Sequence, residues 1–279
     1  MPPVLLLGAA GASAAAVAWS LFEAQWVELR ERDAPLPTLP AELDGLRVLH
    51  LSDFHLGTRS LNARALEKAL SWAESLELDL AAVTGDLVSR RRGEETLRRA
   101  FRRLRTRLGT FVVLGNHDVA ETRDPFSRPA ELGGTAPEAR LLEHGSELLS
   151  VAGRGVQVAG ADPRRRYDSL RRLADPRADL RILLTHFPDD VARLEPGDFH
   201  LVLAGHLHGG QICVPAPRGK IRLEHLRAPY WEGLFELPQA TLHVSRGLGT
   251  SFVPFRFLAR PEATVLTLRR GRDRHRTEH

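Results

Sequence analysis

Five short clusters of Asp, Asn and His recur along the chain, each directly after an apolar run: Asp53-Phe54-His55, Gly85-Asp86, Gly115-Asn116-His117-Asp118, Thr185-His186 and Gly205-His206-Leu207-His208. The runs before them are Leu46 to Leu51, Leu80 to Thr84, Thr110 to Leu114, Leu180 to Leu184 and Leu201 to Ala204. Apolar stretches this short, bounded by Gly or polar residues, predict buried strands of a covered sheet. Open α/β sheets place their sites at the carboxyl ends of such strands. The oxygen and imidazole groups are therefore expected to gather there.

That gathering has a chemistry. Residues two apart on a strand share a face, so Asp53 and His55 are expected to grip one metal while Phe54 packs away. By the same spacing His206 and His208 are expected to be co-facial, with Leu207 turned inward. Asp86, on a Gly turn, is the candidate for a carboxylate shared by two cations. Asn116 offers a neutral carbonyl oxygen and His186 another imidazole. Nitrogen and oxygen donors without thiolate suit Mn²⁺, with Fe or Zn²⁺ as the other choices. Two such ions about 3.5–4 Å apart would clamp both oxygens of an in-line phosphoryl displacement.

Taken singly, the clusters say less. Asp-x-His often caps a helix, Gly-Asp is a common turn, and a lone His186 fits a hydrogen-bonded structural histidine. Gly-Asn-His-Asp and Gly-His-x-His are more specific, and all five in order are more specific again. The ordered set resembles the calcineurin-like metallophosphoesterase superfamily, whose pattern runs D-x-H, G-D, G-N-H-D/E, H, G-H-x-H, over Leu46 to about Leu268. The resemblance implies one metal on Asp53, His55, Asp86 and His208, and a second on Asp86, Asn116, His186 and His206. It implies that His117 faces the phosphate as a catalytic residue, with Asp118 orienting its ring. The implied fold is a four-layer α-β-β-α sandwich.

Further segments, His208-Gly209-Gly210-Gln211 and Ser245-Arg246-Gly247-Leu248-Gly249, are similar to bacterial membrane-associated phosphodiesterases. That branch includes relatives linked to pyrophosphate cleavage in UDP-2,3-diacylglucosamine during lipid A biosynthesis. Both segments also read as plain Gly-rich turns.

The rest of the chain sets the frame. Its 279 residues suffice for one large domain, and a lone Cys213 excludes an internal disulfide framework. Pro2 through Phe22 carries no charge, with Trp19 and Trp26 near its far end. A stretch of about 20 apolar residues can span a bilayer, so residues 1–25 are expected to be a single-pass anchor in the cell membrane. A signal peptide, which would want a basic n-region, and a buried domain helix are the alternatives. Residues 26–45 read as an edge strand followed by a Pro-rich linker, 46–270 as the catalytic domain and 271–279 as a charged tail. If the lipid A substrate applies, the catalytic domain lies at the cytoplasmic face.

Leu61 to Leu78 has helical periodicity. Arg90 to Leu108 also does, and it carries nine arginines. They suit either a patch for nucleic acid or anionic lipid or, as preferred here, the solvated face of an amphipathic helix. His50, His144, His200, His225, His243, His275 and His279 lack ligand spacing, and Cys213 is read as packed. The loop Val119 to Pro137 is a candidate wall of the substrate cleft. The function expected is a binuclear metal-dependent phosphoesterase acting on phosphodiester or pyrophosphate bonds of a lipid-linked or nucleotide substrate. A nuclease or nucleotide phosphodiesterase, and a non-catalytic scaffold, are the alternatives; nucleic acid is not the expected partner and the oligomeric state is open.

Overall fold

The computed structural model describes residues 3–122, 124, 138–166, 168–217 and 219–271. In chain order the elements are α1 (Pro3–Glu23), β1 (Glu28–Leu36), β2 (Arg47–Leu51), α2 (Asn62–Ala73), β3 (Leu80–Thr84), α3 (Glu94–Arg103), β4 (Gly109–Val113), β5 (Ala139–Leu141), β6 (Gly145–Val151), β7 (Arg154–Gly160), β8 (Leu180–Leu184), β9 (Leu201–Ala204), β10 (Cys213–Ala216), β11 (Gly219–Arg222), β12 (Gly233–Glu236), β13 (Thr241–Val244) and β14 (Glu262–Arg270). Among the described residues these strands make two six-stranded sheets, ordered β1-β14-β2-β3-β4-β5 and β12-β13-β9-β8-β7-β6, plus the hairpin β10-β11.

The two sheets pack face to face. Alternation along β2 sends Val48 into the inter-sheet core and Leu49 and Leu51 to the opposite face, where α2 and α3 lie. From the second sheet Val156, Val158, Ile182, Leu201 and Leu203 fill the same inter-sheet core. On α2 the residues Ala65, Leu66, Ala69, Leu70 and Ala73 are buried, the 3-and-4 spacing of one helix face. Each leucine buried this way contributes about 2 kcal/mol.

The outer face of the second sheet differs from the expected α layer. Leu170, Val191 and Leu194 cover Leu183, Val202 and Leu242, but they sit in or beside 3₁₀ turns at Leu170–Leu173 and Pro188–Arg193. Pro176 and Pro196, shortly after the ends of these two turns, stop a longer helix from propagating. The sandwich is therefore α-β-β with an outer cover of turns.

The segment read as a linker is part of the domain. Strand β1 runs through Pro35 and pairs in parallel with β14, which an edge strand tolerates because the missing N–H faces outward. Ala34, Leu36, Leu39 and Leu43 all enter the inter-sheet core.

The single-pass anchor and the cell-membrane location expected from it are corrected. A helix does form over Pro3–Glu23, yet among the described residues no helix is long and apolar enough to cross a membrane. Alanine, glycine and serine dilute its apolar content, and its last turn is committed to the domain. Ser20 and Glu23 are buried, the Ser20 carbonyl accepts from Arg256 N at 3.1 Å, and Glu23 Oε1 accepts from Ala259 N at 2.7 Å. What remains, Pro3 to Trp19, rises about 25 Å, short of the ~30 Å hydrocarbon thickness. Residues 272–279, with His275 and His279, and most of the Val119–Pro137 loop lie outside the described residues.

Candidate binuclear metal site

All five clusters meet at the carboxyl ends of β2, β3, β4, β8 and β9, but not by strand alternation. The strands end before the ligands begin, and Asp53, His55, Asp86, His206 and His208 all take left-handed backbone, with φ of 54°, 44°, 55°, 75° and 51°. Such residues cost of order 1–3 kcal/mol each and persist where the surroundings over-determine them. The expectation that His206 and His208 are co-facial is corrected on this ground: the turn between them sends the two rings to different groups. Close approach completes the turns. A Cβ on Gly115 would collide with Asp86 Oδ1, and one on Gly205 with Ser52 Oγ and Asp53 Oδ2.

Two groups result. Asp53, His55, Asp86 and His208 bring ligand atoms within 4.8 Å of one another, and so do Asp86, His186 and His206. Asp86 belongs to both, with Oδ2 3.4 Å from His55 Nε2 and 3.3 Å from His186 Nε2. Asn116 joins the second group: its Oδ1 lies 3.0 Å from His186 Nε2, while its amide nitrogen donates to Glu121 O at 3.2 Å. The groups draw on both sheets, since His186, His206 and His208 come from the second and the rest from the first.

The residues fit metal ions. His55 Nε2 faces His208 Nε2 at 3.2 Å, and His186 Nε2 faces His206 Nδ1 at 3.2 Å. Paired imidazole nitrogens at that distance need a proton or a shared cation between them. Outer partners fix the tautomers that leave these nitrogens as ligands. His186 Nδ1 donates to Thr84 O at 2.8 Å, and His55 Nδ1 pairs with Ser89 Oγ at 3.0 Å. Burial works against the charge of Asp86, yet His186, His55 and His117 hold its carboxyl well below the usual range. For His186, burial favours the neutral ring, but Asp86 and Asp53 prevail and raise it to about 9. This buried demand for positive charge is one that divalent cations meet.

His117 sits at the edge of both groups, with Nε2 3.9 Å from Asp86 Oδ2 and 3.1 Å from Thr122 Oγ1. Asp118 bonds to main-chain amides. Its carboxylate accepts from Gly115 N at 2.9 Å, Leu87 N at 2.9 Å and Val88 N at 3.3 Å, so it ties the Asn116 loop to the Asp86 loop. Burial and then the charge of Asp86 push it up to about 7.

Several supporting residues escaped sequence reasoning. Arg256, fully buried, donates to the carbonyls of His208, Gly249, Ala259, Arg246 and Gly247 and reaches within 3.5 Å of His208 Nδ1. Nothing in its Phe-Arg-Phe context signals this. The two Gly-rich segments did carry a signal in their spacing. Leu248 N donates to Ser52 O at 3.0 Å and Gly249 N to Asp53 O at 2.6 Å, and a Cβ on Gly247 would crowd Asp53. Gln211 Nε2 donates to Ser251 O at 2.9 Å and its Oε1 accepts from Ser251 N at 3.0 Å. His50 and His243, away from the ligands, form a buried pair at 2.7 Å between Nδ1 atoms, and His50 Nε2 meets Thr84 Oγ1 at 2.9 Å.

Two packed mixed sheets with paired Asp/His groups at their carboxyl ends define a metal-dependent phosphoric ester hydrolase. Residues 46–210 match the calcineurin-like phosphoesterase family, and the chain belongs to it. It is 29% identical over 264 residues to the uncharacterized metallophosphoesterase YkuE of Bacillus subtilis, covering 89% of this chain and 87% of that one. It is 30% identical over 291 residues to the UDP-2,3-diacylglucosamine pyrophosphatase LpxG of Chlamydia trachomatis, covering 83% and 86%. Among solved structures, the phosphopantetheinyl hydrolase of Mycobacterium tuberculosis matches 72% of this chain and 89% of its own at 14% identity and a TM-score of 0.40.

Proposed function

We propose that the enzyme hydrolyses a pyrophosphate or phosphodiester bond of a lipid-linked nucleotide, with UDP-2,3-diacylglucosamine as the first substrate to test and lipid A biosynthesis as its setting. The observation that carries the hydrolytic reading is the shared position of Asp86 between two ligand groups, with His117 beside it. The chlamydial relative supports the substrate.

Asp53, His55, Asp86 and His208 would hold one divalent ion, and Asp86, Asn116, His186 and His206 the other, Mn²⁺ first and Fe or Zn²⁺ next. Bound there, the ions supply positive charge to the phosphoryl oxygens and acidify water. The chain's residues do the rest. Ser89 and Thr84 fix the rings of His55 and His186, and Asp118 fixes the loops. Burial holds His117 below the ordinary imidazole value; an anionic phosphoryl group beside it favours the protonated ring. From there it gives a proton to the leaving oxygen.

The α3 arginines that favoured a nuclease are paired with carboxylates. Arg103 meets Glu67 and Glu74, each at 2.7 Å, Arg98 and Arg99 meet Glu95, and Arg102 meets Glu138. The test is hydrolysis by the full Mn²⁺-loaded chain of UDP-2,3-diacylglucosamine, bis(p-nitrophenyl) phosphate and p-nitrophenyl phosphate. Selective cleavage of the lipid nucleotide is expected. Turnover of the aryl diester alone would overturn the substrate, and silence on all three with metal bound would favour a scaffold.

A further inference from the structure

Two cavities are lined by arginines, one at the metal-site residues Asn116 and His206 and the other linked to the site through neighbouring residues, and their arginines differ. One, of about 590 Å³, is lined by Asn116 and His206 together with Arg164, Arg166 and Arg193. Each of these arginines already has a carboxylate: Arg164 with Asp162 and Glu143, Arg166 with Asp189 at 2.6 Å, Arg193 with Asp190 at 3.0 Å. The other, of about 470 Å³, is lined by Arg59, Arg90 and Arg92, the carboxylate of Asp124, the hydroxyls of Thr58 and Ser60, and the apolar groups of Phe252 and Pro254. Arg92 donates to Gly57 O, and Asp124 Oδ2 accepts from Phe252 N at 3.4 Å. Among the described residues neither Arg59 nor Arg90 has an ion pair or a side-chain hydrogen bond, and Arg59 is exposed while Arg90 is partly so. Two unneutralised guanidinium groups beside a rim of hydroxyls form a site for an anion with several acceptor oxygens.

The cavity is built on the groups that hold the reacting centre. Arg90 follows Ser89, which fixes the His55 ring. Thr58 Oγ1 donates to His55 O at 3.3 Å. On the other wall Asp124 N donates to Thr122 Oγ1 at 3.0 Å, and Thr122 Oγ1 meets His117 Nε2. Gln211 holds the Ser251–Val253 stretch in place beside His208. Asp124, through Thr122, places this cavity on the His117 side of the site.

We infer that this is the leaving-group pocket and that Arg59 and Arg90 bind a second phosphoryl group carried by the leaving group. The inference rests on the hydrolytic reading above and narrows it to pyrophosphate-type substrates. In that reaction water oxygen forms a bond to the scissile phosphorus. The bridging P–O bond breaks with its electron pair going to the second phosphate, which takes the His117 proton, and one proton of the water replaces it on His117. The products are two phosphomonoesters, one of them seated against the arginines.

The test compares wild type with Arg59→Gln/Arg90→Gln. With Mn²⁺, kcat/KM on UDP-2,3-diacylglucosamine should fall about 10–100-fold, the range for losing charge-assisted hydrogen bonds. That on bis(p-nitrophenyl) phosphate, whose leaving group is uncharged at its far end, should change less than about twofold. Parallel losses on both substrates, or none on either, would overturn the inference. A second readout needs no turnover. In EDTA, phenyl phosphate should bind wild type and Arg164→Gln with equal affinity and bind the double variant at least about tenfold more weakly. Equal affinity across all three, or no binding to wild type, also overturns it. Loss of binding in the double variant, in a protein that cleaves no phosphoester, would sink the proposed function while leaving the anion pocket standing. If the double variant melts early, Arg59→Gln alone, at an exposed position, carries both readouts.

Discussion

Oδ1 of Asp86 accepts the backbone N–H of His117 at 2.9 Å, which leaves Oδ2 as the oxygen turned toward His55 and His186. One oxygen anchors the catalytic loop and the other serves both ligand groups. Asp86→Asn keeps the shape and the contact with His117 N but removes the charge. Hydrolysis should drop more than about 100-fold, with fewer than two metals bound per chain and an unchanged circular dichroism spectrum. Full activity in this variant would refute the shared-carboxylate assignment.

His117→Ala should separate chemistry from metal holding. The side chain lies at the edge of both groups, so metal content should stay at the wild-type level. The rate should fall about 10²–10⁴-fold, the range for a lost proton donor. Metal loss on inductively coupled plasma analysis would show that His117 is a ligand.

Gly205→Ala tests the close packing of the two sheets at the site. The new methyl would strike Ser52 Oγ and Asp53 Oδ2. Overpacking of this kind costs about 1–3 kcal/mol, and here it also pushes a ligand aside. A lower urea midpoint with weakened metal affinity is expected, and wild-type values on both would contradict the close approach of Gly205 to Asp53.

Among the described residues Arg256 has no ion pair; its guanidinium is saturated instead by main-chain carbonyls. Arg256→Met strands those carbonyls in the interior and should destabilise the fold by roughly 3 kcal/mol or more. Arg256→Lys should rescue little, because an ammonium cannot reproduce a planar fork of donors. Urea unfolding of the metal-free proteins checks both, and near-wild-type stability of the lysine variant would argue that only the charge matters.

Acid should weaken the metal-free fold partly through His200. Its Nδ1 accepts from Arg181 N at 2.9 Å, and burial, with the charge of Arg181, brings it from 6.5 to about 4. Between those values the unfolded chain binds the extra proton and the folded chain does not, so stability falls as pH drops from 6.5 through 4. The urea midpoint of His200→Gln should decline less steeply over that window, and parallel slopes would exclude the contribution.

Local signals were legible and long-range ones were not. β8 and β9 fall where the apolar runs Leu180–Leu184 and Leu201–Ala204 put them, because a buried central strand needs only a short apolar stretch and a polar stop. The gathering of the Asp and His groups was readable for the same reason, each lying just past a strand end. The division of His206 from His208 was not, since strand spacing argues for one face and a left-handed turn delivers two. The hydrogen bonds that Asp118 accepts from the amides of Leu87 and Val88 were not readable, because those amides lie some thirty positions away. The N-terminal segment showed the right length for a bilayer, but the burial of Ser20 and Glu23 against the domain exists only in three dimensions.

Neither sheet owns a complete ligand group. Asp53, His55 and Asp86 wait for His208, and Asp86 and Asn116 wait for His186 and His206. Ions held there would rivet two layers otherwise joined by apolar packing and a few polar contacts such as His50–His243, so depriving the enzyme of metal should loosen the seam between the layers before it loosens either layer. The supply of divalent cation would then govern mechanical integrity as well as turnover.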